Sequence, residues 1–281
     1  MVESMLWSVG IPATAGGLLL ACCWWVLGFG RWPWMTRILV VLAIGGVAGG
    51  SFLASVGLPS WPPAQKWHGV FLMAGAVTAA GLIEAMYPRR EWAGRVVLAI
   101  AIGVASVWLL PLPEQSALTV GWVVGGSALL VGMLDRARGG LAVPVGGWAA
   151  AAAISAMALV AGSMTFSLMA GAVSAMCGLV IVLGWFAGGR VTEGVSGGGL
   201  TLGGVLAVIA LTAWAYDYNV VPGWAWAVSG SGFALACIFE IGPLGRWKGY
   251  SATVVRSIVM ISPPVYVVVH EWDAVKGALS G

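Results

Sequence analysis

The sequence predicts an all-α fold: a polytopic integral membrane helix bundle of about ten transmembrane helices. Three observations carry this. The composition is 60% hydrophobic and 8% charged, with a mean hydropathy of +0.97, whereas a soluble domain holds about 45–50% apolar and about 25% charged residues. Apolar stretches recur at the roughly 20-residue length that a helix needs to cross a bilayer. Basic residues gather in alternate connections between them, which is how orientation is written into a membrane chain. At 281 residues a water-soluble core cannot absorb this much apolar surface, so the surrounding solvent is lipid.

The ten stretches lie near 6–29, 38–57, 68–87, 94–112, 117–134, 144–162, 165–187, 198–216, 221–242 and 251–271. The first contains Leu19-Leu20-Ala21-Cys22, which has the form of a lipoprotein cleavage box. Glu3, the lack of a positive leader and the apolar continuation Trp24-Trp25-Val26-Leu27 argue for a retained span. The second carries Gly45-Gly46 and Gly49-Gly50, two overlapping G-x-x-x-G pairs that let helix backbones approach closely. Gly121/Gly125 in the fifth and Gly199/Gly203 in the eighth repeat that spacing. The four cysteines, Cys22, Cys23, Cys177 and Cys237, lie inside apolar runs without C-x-x-C spacing and read as small packing residues. The connections are short, 58–67 and 188–197 being the longest, so a single transmembrane domain spans 1–281.

Within it, 68–135 and 165–240 are candidates for an internal parallel repeat. Phe71-Leu72-Met73-Ala74-Gly75-Ala76-Val77 resembles Leu168-Met169-Ala170-Gly171-Ala172-Val173, and Gly121-Trp122 resembles Gly223-Trp224. A period of four spans keeps the two copies parallel.

Orientation follows from the basic residues. Arg31, Arg37, Arg89, Arg90, Arg95, Arg136, Arg138, Arg190, Arg246 and Lys248 fall in or beside odd-numbered loops. The even loops hold Lys66, and the C-terminal tail holds Lys276. Odd loops in the cytoplasm, with both termini outside, satisfy this pattern. The localisation expected is a cell membrane, the inner membrane of a bacterium. Trp32, Trp34, Trp61, Trp67, Trp92, Trp247 and Trp272 sit at span ends as interfacial anchors, whereas Trp108, Trp122, Trp185 and Trp226 lie deeper and read as packing or lining residues.

The loop Leu58-Pro59-Ser60-Trp61-Pro62-Pro63, followed by Lys66-Trp67, resembles Pro/Trp loops of uncharacterised multi-pass membrane proteins of planctomycete-type bacteria. The resemblance covers about ten residues, agrees with a polytopic fold and implies no particular chemistry.

The last stretch is the one where a helix risks breaking at depth. Pro263 and Pro264 cannot donate to the carbonyls of Val259 and Met260, and Ser262 is pushed from helical angles by the proline after it. In hydrocarbon, freed groups need protein or water as partners, so the other spans are expected to pack around this one. The ninth stretch carries Ser229-Gly230-Ser231-Gly232, a second soft centre. Two such centres resemble the discontinuous helices that bind substrate in transporters. The expected substrate path is therefore Ser229, Ser231, Ser262, Pro263, Pro264 and Tyr266.

Charges inside spans are costly and mark candidate sites. Arg256 lies about five residues, roughly 8 Å, inside the last span. Its expected partner is Glu84 or Glu240, both at similar depth with Asp135. Tyr216-Asp217-Tyr218-Asn219, His68, Glu114, His270, Glu271 and Asp273 would form a polar outer rim.

The sequence has no H-E-x-x-H or phosphate-cradling G-x-x-x-x-G-K motif, so no enzyme, cofactor or metal site is expected. No basic stripe points to nucleic acid. The partners expected are the lipid bilayer and either a small-molecule substrate or another membrane protein. The function expected is passage of a small molecule or ion, permease-like, with spans nine and ten near the path. The alternative is a non-transporting membrane scaffold or assembly partner.

Overall fold

Hydrocarbon offers the backbone no hydrogen-bond partners, so a chain of this composition satisfies its amides within helices. The computed structural model describes residues 6–27, 33–59, 65–86, 92–110, 116–138, 141–186, 198–217, 220–240, 246–247 and 250–280. Among these residues it contains α-helices, short π and 3-10 turns, and no strand. The helices are α1 (Ile11–Leu27), α2 (Pro33–Val56), α3 (Gly69–Met86), α4 (Trp92–Leu109), α5 (Ala117–Arg138), α6 (Ala142–Val160), α7 (Met164–Phe186), α8 (Gly199–Ala215), α9 (Gly223–Glu240), α10 (Tyr250–His270) and α11 (Trp272–Ser280). α1 to α10 coincide with the ten stretches to within a few residues. α11 is a short addition that follows α10 directly.

Among the described residues seven helices, α2 to α7 and α10, are long and apolar enough to cross a membrane. α1 and α8 are apolar but shorter. The chain is thus an all-helical membrane protein.

The pairs α1–α2, α2–α3, α3–α4, α4–α5, α6–α7 and α9–α10 pack as antiparallel hairpins. Phe52 stacks on Phe71 at 5.5 Å across α2 and α3, while Gly45 abuts Thr78 further along the same pair. Ser155 donates to the Ser167 carbonyl at 2.8 Å and Ser174 to the Trp148 carbonyl at 3.0 Å, tying α6 to α7. The turn between those two closes on Gly162 at φ +75°, where a side chain would be strained, and Ser163 N–H reaches back to the Ala158 carbonyl at 2.8 Å. As a result, the C-terminal ends of odd helices and the N-terminal ends of even ones gather at one end of the bundle. Leu20, Val40, Asp135, Val143, Val180 and Gly198 surround one small pocket there, Glu84 meets Arg95, and Glu240 meets Arg256.

The centre of the bundle is α8, not α10. α8 packs against α2, α3, α5, α6, α7 and α9, and nearly all its residues from Gly199 to Ala213 are buried. α10 packs on α6 and α9 at the edge, with only 28% of its spanning window buried. The expectation that the chain is organised around its last span is therefore corrected. Composition hides the difference, because a helix facing lipid and a helix facing protein are equally apolar. A central position also accounts for the brevity of α8: its 17 residues span about 25 Å, less than the roughly 30 Å of hydrocarbon, but its ends meet protein.

The Gly121/Gly125 and Gly199/Gly203 spacings do the packing expected of them, whereas the pairs in α2 do not bring backbones together: a Cβ at Gly46 would meet nothing within 4 Å, and one at Gly49 or Gly50 only side chains at 3.6 Å or more. A Cβ at Gly125 would lie 2.6 Å from the Ala99 carbonyl oxygen of α4, and one at Gly203 would lie 2.5 Å from the Ser127 carbonyl oxygen of α5. Helix backbones at these crossings touch with no side chain between them, which is how apolar helices gain contact in a solvent as apolar as themselves.

Candidate functional site: a cleft beside α9

The prolines of α10 bend no break into it: the helix runs unbroken from Tyr250 to His270. Each freed carbonyl has a local answer. The Ser262 hydroxyl donates to the Val259 carbonyl at 3.1 Å. The Met260 carbonyl presses against Gly232 of α9 so closely that a Cβ there would overlap it. α9 is likewise continuous, with Ser229 donating to the Ala225 carbonyl at 2.8 Å and Ser231 to the Val228 carbonyl at 2.9 Å. The expected discontinuous helices are thus absent from α9 and α10. The Ser262 hydroxyl supplies one partner that an unwound segment would have left to a ligand, and the Met260 carbonyl is covered by the α9 backbone at Gly232. The two soft centres do meet, at Gly232 and Met260, as a packing contact.

The space beside this contact belongs to other walls. A cavity of about 440 Å³ lies between α5, α6, α8 and α9. Ile154 of α6 and Leu206 and Ala207 of α8 form its floor; Trp122, Gly126 and Ser127 of α5 face Trp226, Gly230 and Ser231 of α9 across it. Trp226 is buried, and its indole N–H donates to Asp217 at 3.4 Å. No charged residue lines the cavity.

Of the six expected path residues, Ser231 alone lines it. Ser229 is buried in the α9 packing. Ser262 is exposed on the outside of α10, Pro264 is buried and Pro263 half-buried. Tyr266 is 58% exposed and sits among Trp224 and His270, with ring centroids 6.2 and 5.8 Å away. Span nine therefore borders the cavity and span ten does not.

Charged residues pair between adjacent helices. Arg256 meets Glu240, and its Nη2 donates to the Trp247 carbonyl at 2.9 Å. Glu84 meets Arg95 instead. The expected Arg256–Glu240 pair is present; Arg256 and Glu84 do not pair, because Arg95 at the start of α4 is closer to hand. Asp135 accepts from the Gly199 N–H at 3.2 Å, a carboxylate set at the positive end of α8.

The outer rim divides into parts. Asp217 accepts from the backbone N–H groups of Val220 and Val221, both at 3.0 Å, and so shapes the turn into α9. His68 is buried among aromatic rings, 4.4 Å from Trp67 and 6.1 Å from Phe52. His270 pairs with Glu271 at 3.1 Å and Lys276 with Asp273 at 3.0 Å. Glu114, Tyr218 and Asn219 lie outside the described residues, as do Arg31, Arg89, Arg90, Arg190, Lys248 and most of the Pro/Trp loop. Trp108 is corrected from a packing residue to a surface one: it is 79% exposed on α4.

The α5, α6 and α8 walls were missed in the sequence. The available signal was a pair of matching dipeptides, Gly126-Ser127 and Gly230-Ser231, both of which line the cavity.

No protein-family model matches the chain, and no curated protein sequence matches it.

Proposed function

We propose that this protein is a permease-like membrane protein that binds a small molecule in the cleft beside α9 and passes it across a cell membrane, the bacterial inner membrane. The observation that carries this is the cavity of about 440 Å³ half-way along the helices, within the range of about 300–1,000 Å³ typical of small-ligand sites. In this reading all ten helices α1 to α10 span, with N- and C-termini outside. The antiparallel hairpins and the arginines at one end support that threading.

A scaffold reading has its own observation. α4 turns Val97, Ile100, Val104 and Trp108 outward, and only 22% of its spanning window is buried. Such a face suits lipid or another membrane protein.

Single cysteines at Ser231 and Ser229, in a chain lacking Cys22, Cys23, Cys177 and Cys237, separate the two readings. A small membrane-permeant maleimide should label Ser231→Cys, and Gly126→Leu should block it. Ser229→Cys should stay unlabelled. Equal protection at both positions would leave the scaffold as the better account.

A further inference from the structure

We infer that the cleft takes a neutral ligand with an apolar body, such as a lipid acyl chain, which enters sideways from the bilayer between α5 and α9. This rests on the reading that the cleft holds a small molecule, and it adds the ligand's class and route.

The route follows from exposure. Trp122 (77% exposed) and Val123 line the cavity from α5, and Ala227 and Gly230 line it from α9 while reaching the outer surface. The mouth is thus on the flank of the bundle, half-way along helices whose surroundings are hydrocarbon. Whatever reaches it laterally must first dissolve there.

The class follows from the lining. Its polar side chains are the hydroxyls of Ser127 and Ser231 and the indoles of Trp122 and Trp226. Ser231 and Trp226 already donate to Val228 and Asp217. A charged ligand would find no counter-charge and lose its water, whereas an alkyl chain loses nothing by leaving lipid for this lining.

Two of the cleft's glycines sit where packing does not demand them. A Cβ at Gly125, Gly203 or Gly232 would collide with a neighbouring helix, so those glycines serve close approach. At Gly126 and Gly230, on opposite walls, a Cβ would meet nothing within 4 Å. Helix packing does not require glycine at either place. What both absences do is keep the cleft wide.

The test uses the full-length protein in lipid nanodiscs and hexadecanol, a neutral long-chain alcohol, carrying a diazirine on its chain. After irradiation, adducts are mapped by peptide mass spectrometry. Adducts should concentrate on the cleft faces of α5 and α9, and fall at least five-fold in Gly230→Leu and in Gly126→Leu. Gly75→Leu, at an open and exposed position on α3, should leave them unchanged. Gel filtration and helix content confirm that each variant folds. Adducts spread evenly over exposed helices, and insensitive to both cleft variants, would overturn the inference. If the hexadecanol probe misses the cleft while a charged, water-soluble thiol reagent labels Ser231→Cys, the path stands and the apolar class falls.

Discussion

Gly230 and Gly232 stand two residues apart on one helix and face opposite demands. Gly232 lies under the Met260 carbonyl that Pro264 releases, so its missing Cβ is what lets α9 and α10 touch. Forcing a methyl group there should cost about 1–3 kcal/mol, as overpacking does in other tightly packed interiors. Gly230→Ala meets open space and should shift stability by no more than about 0.5 kcal/mol. Thermal unfolding of both variants in one detergent reads the contrast; equal melting temperatures would contradict the packing described at Gly232. Neither residue looks special in the string Ser229-Gly230-Ser231-Gly232. Helical periodicity turns one toward α10 and the other toward the cleft.

At the scale of helices, buried ion pairs join neighbours: Glu84–Arg95 links α3 to α4, and Glu240–Arg256 links α9 to α10. Arg256 is 6% exposed, so removing its partner strands a charge where water cannot reach it. Breaking such a pair from one side typically costs about 3–5 kcal/mol. Arg256→Glu and Glu240→Arg should each lower the amount of folded protein in the membrane, and the two together should restore much of it. Combining Arg256→Glu with Glu84→Arg should restore nothing, because Glu84 is held by Arg95. Rescue by the Glu84 combination would mean that the helices are arranged otherwise. The expected partners of Arg256 were two acids at similar depth, and only the fold could choose between them.

For the molecule as a whole, the decisive feature is a buried, short α8 ringed by longer helices, with α4 and α10 facing outward. Arginine-bearing ends lie together because each hairpin reverses the chain. Threading with odd loops in the cytoplasm predicts that a reporter fused after Arg138 is active only when cytoplasmic reporters are used. An extracellular signal at that position would invert the proposed orientation. The cleft depends on the same arrangement, since α5, α6, α8 and α9 come together only where α8 fills the middle.

The sequence by itself determined the solvent, the helices and two of the crossings. Apolar runs of span length dictate helices in hydrocarbon, and G-x-x-x-G spacing marks where backbones meet, as Gly121/Gly125 and Gly199/Gly203 do here. Only the tertiary structure decided which helix is central, which acid Arg256 meets, and that the open space lies beside Ser231 rather than at Pro263 and Pro264. In water, an apolar stripe reveals the buried face of a helix. In lipid both faces are apolar, so α8 and α10 read alike until their neighbours are known.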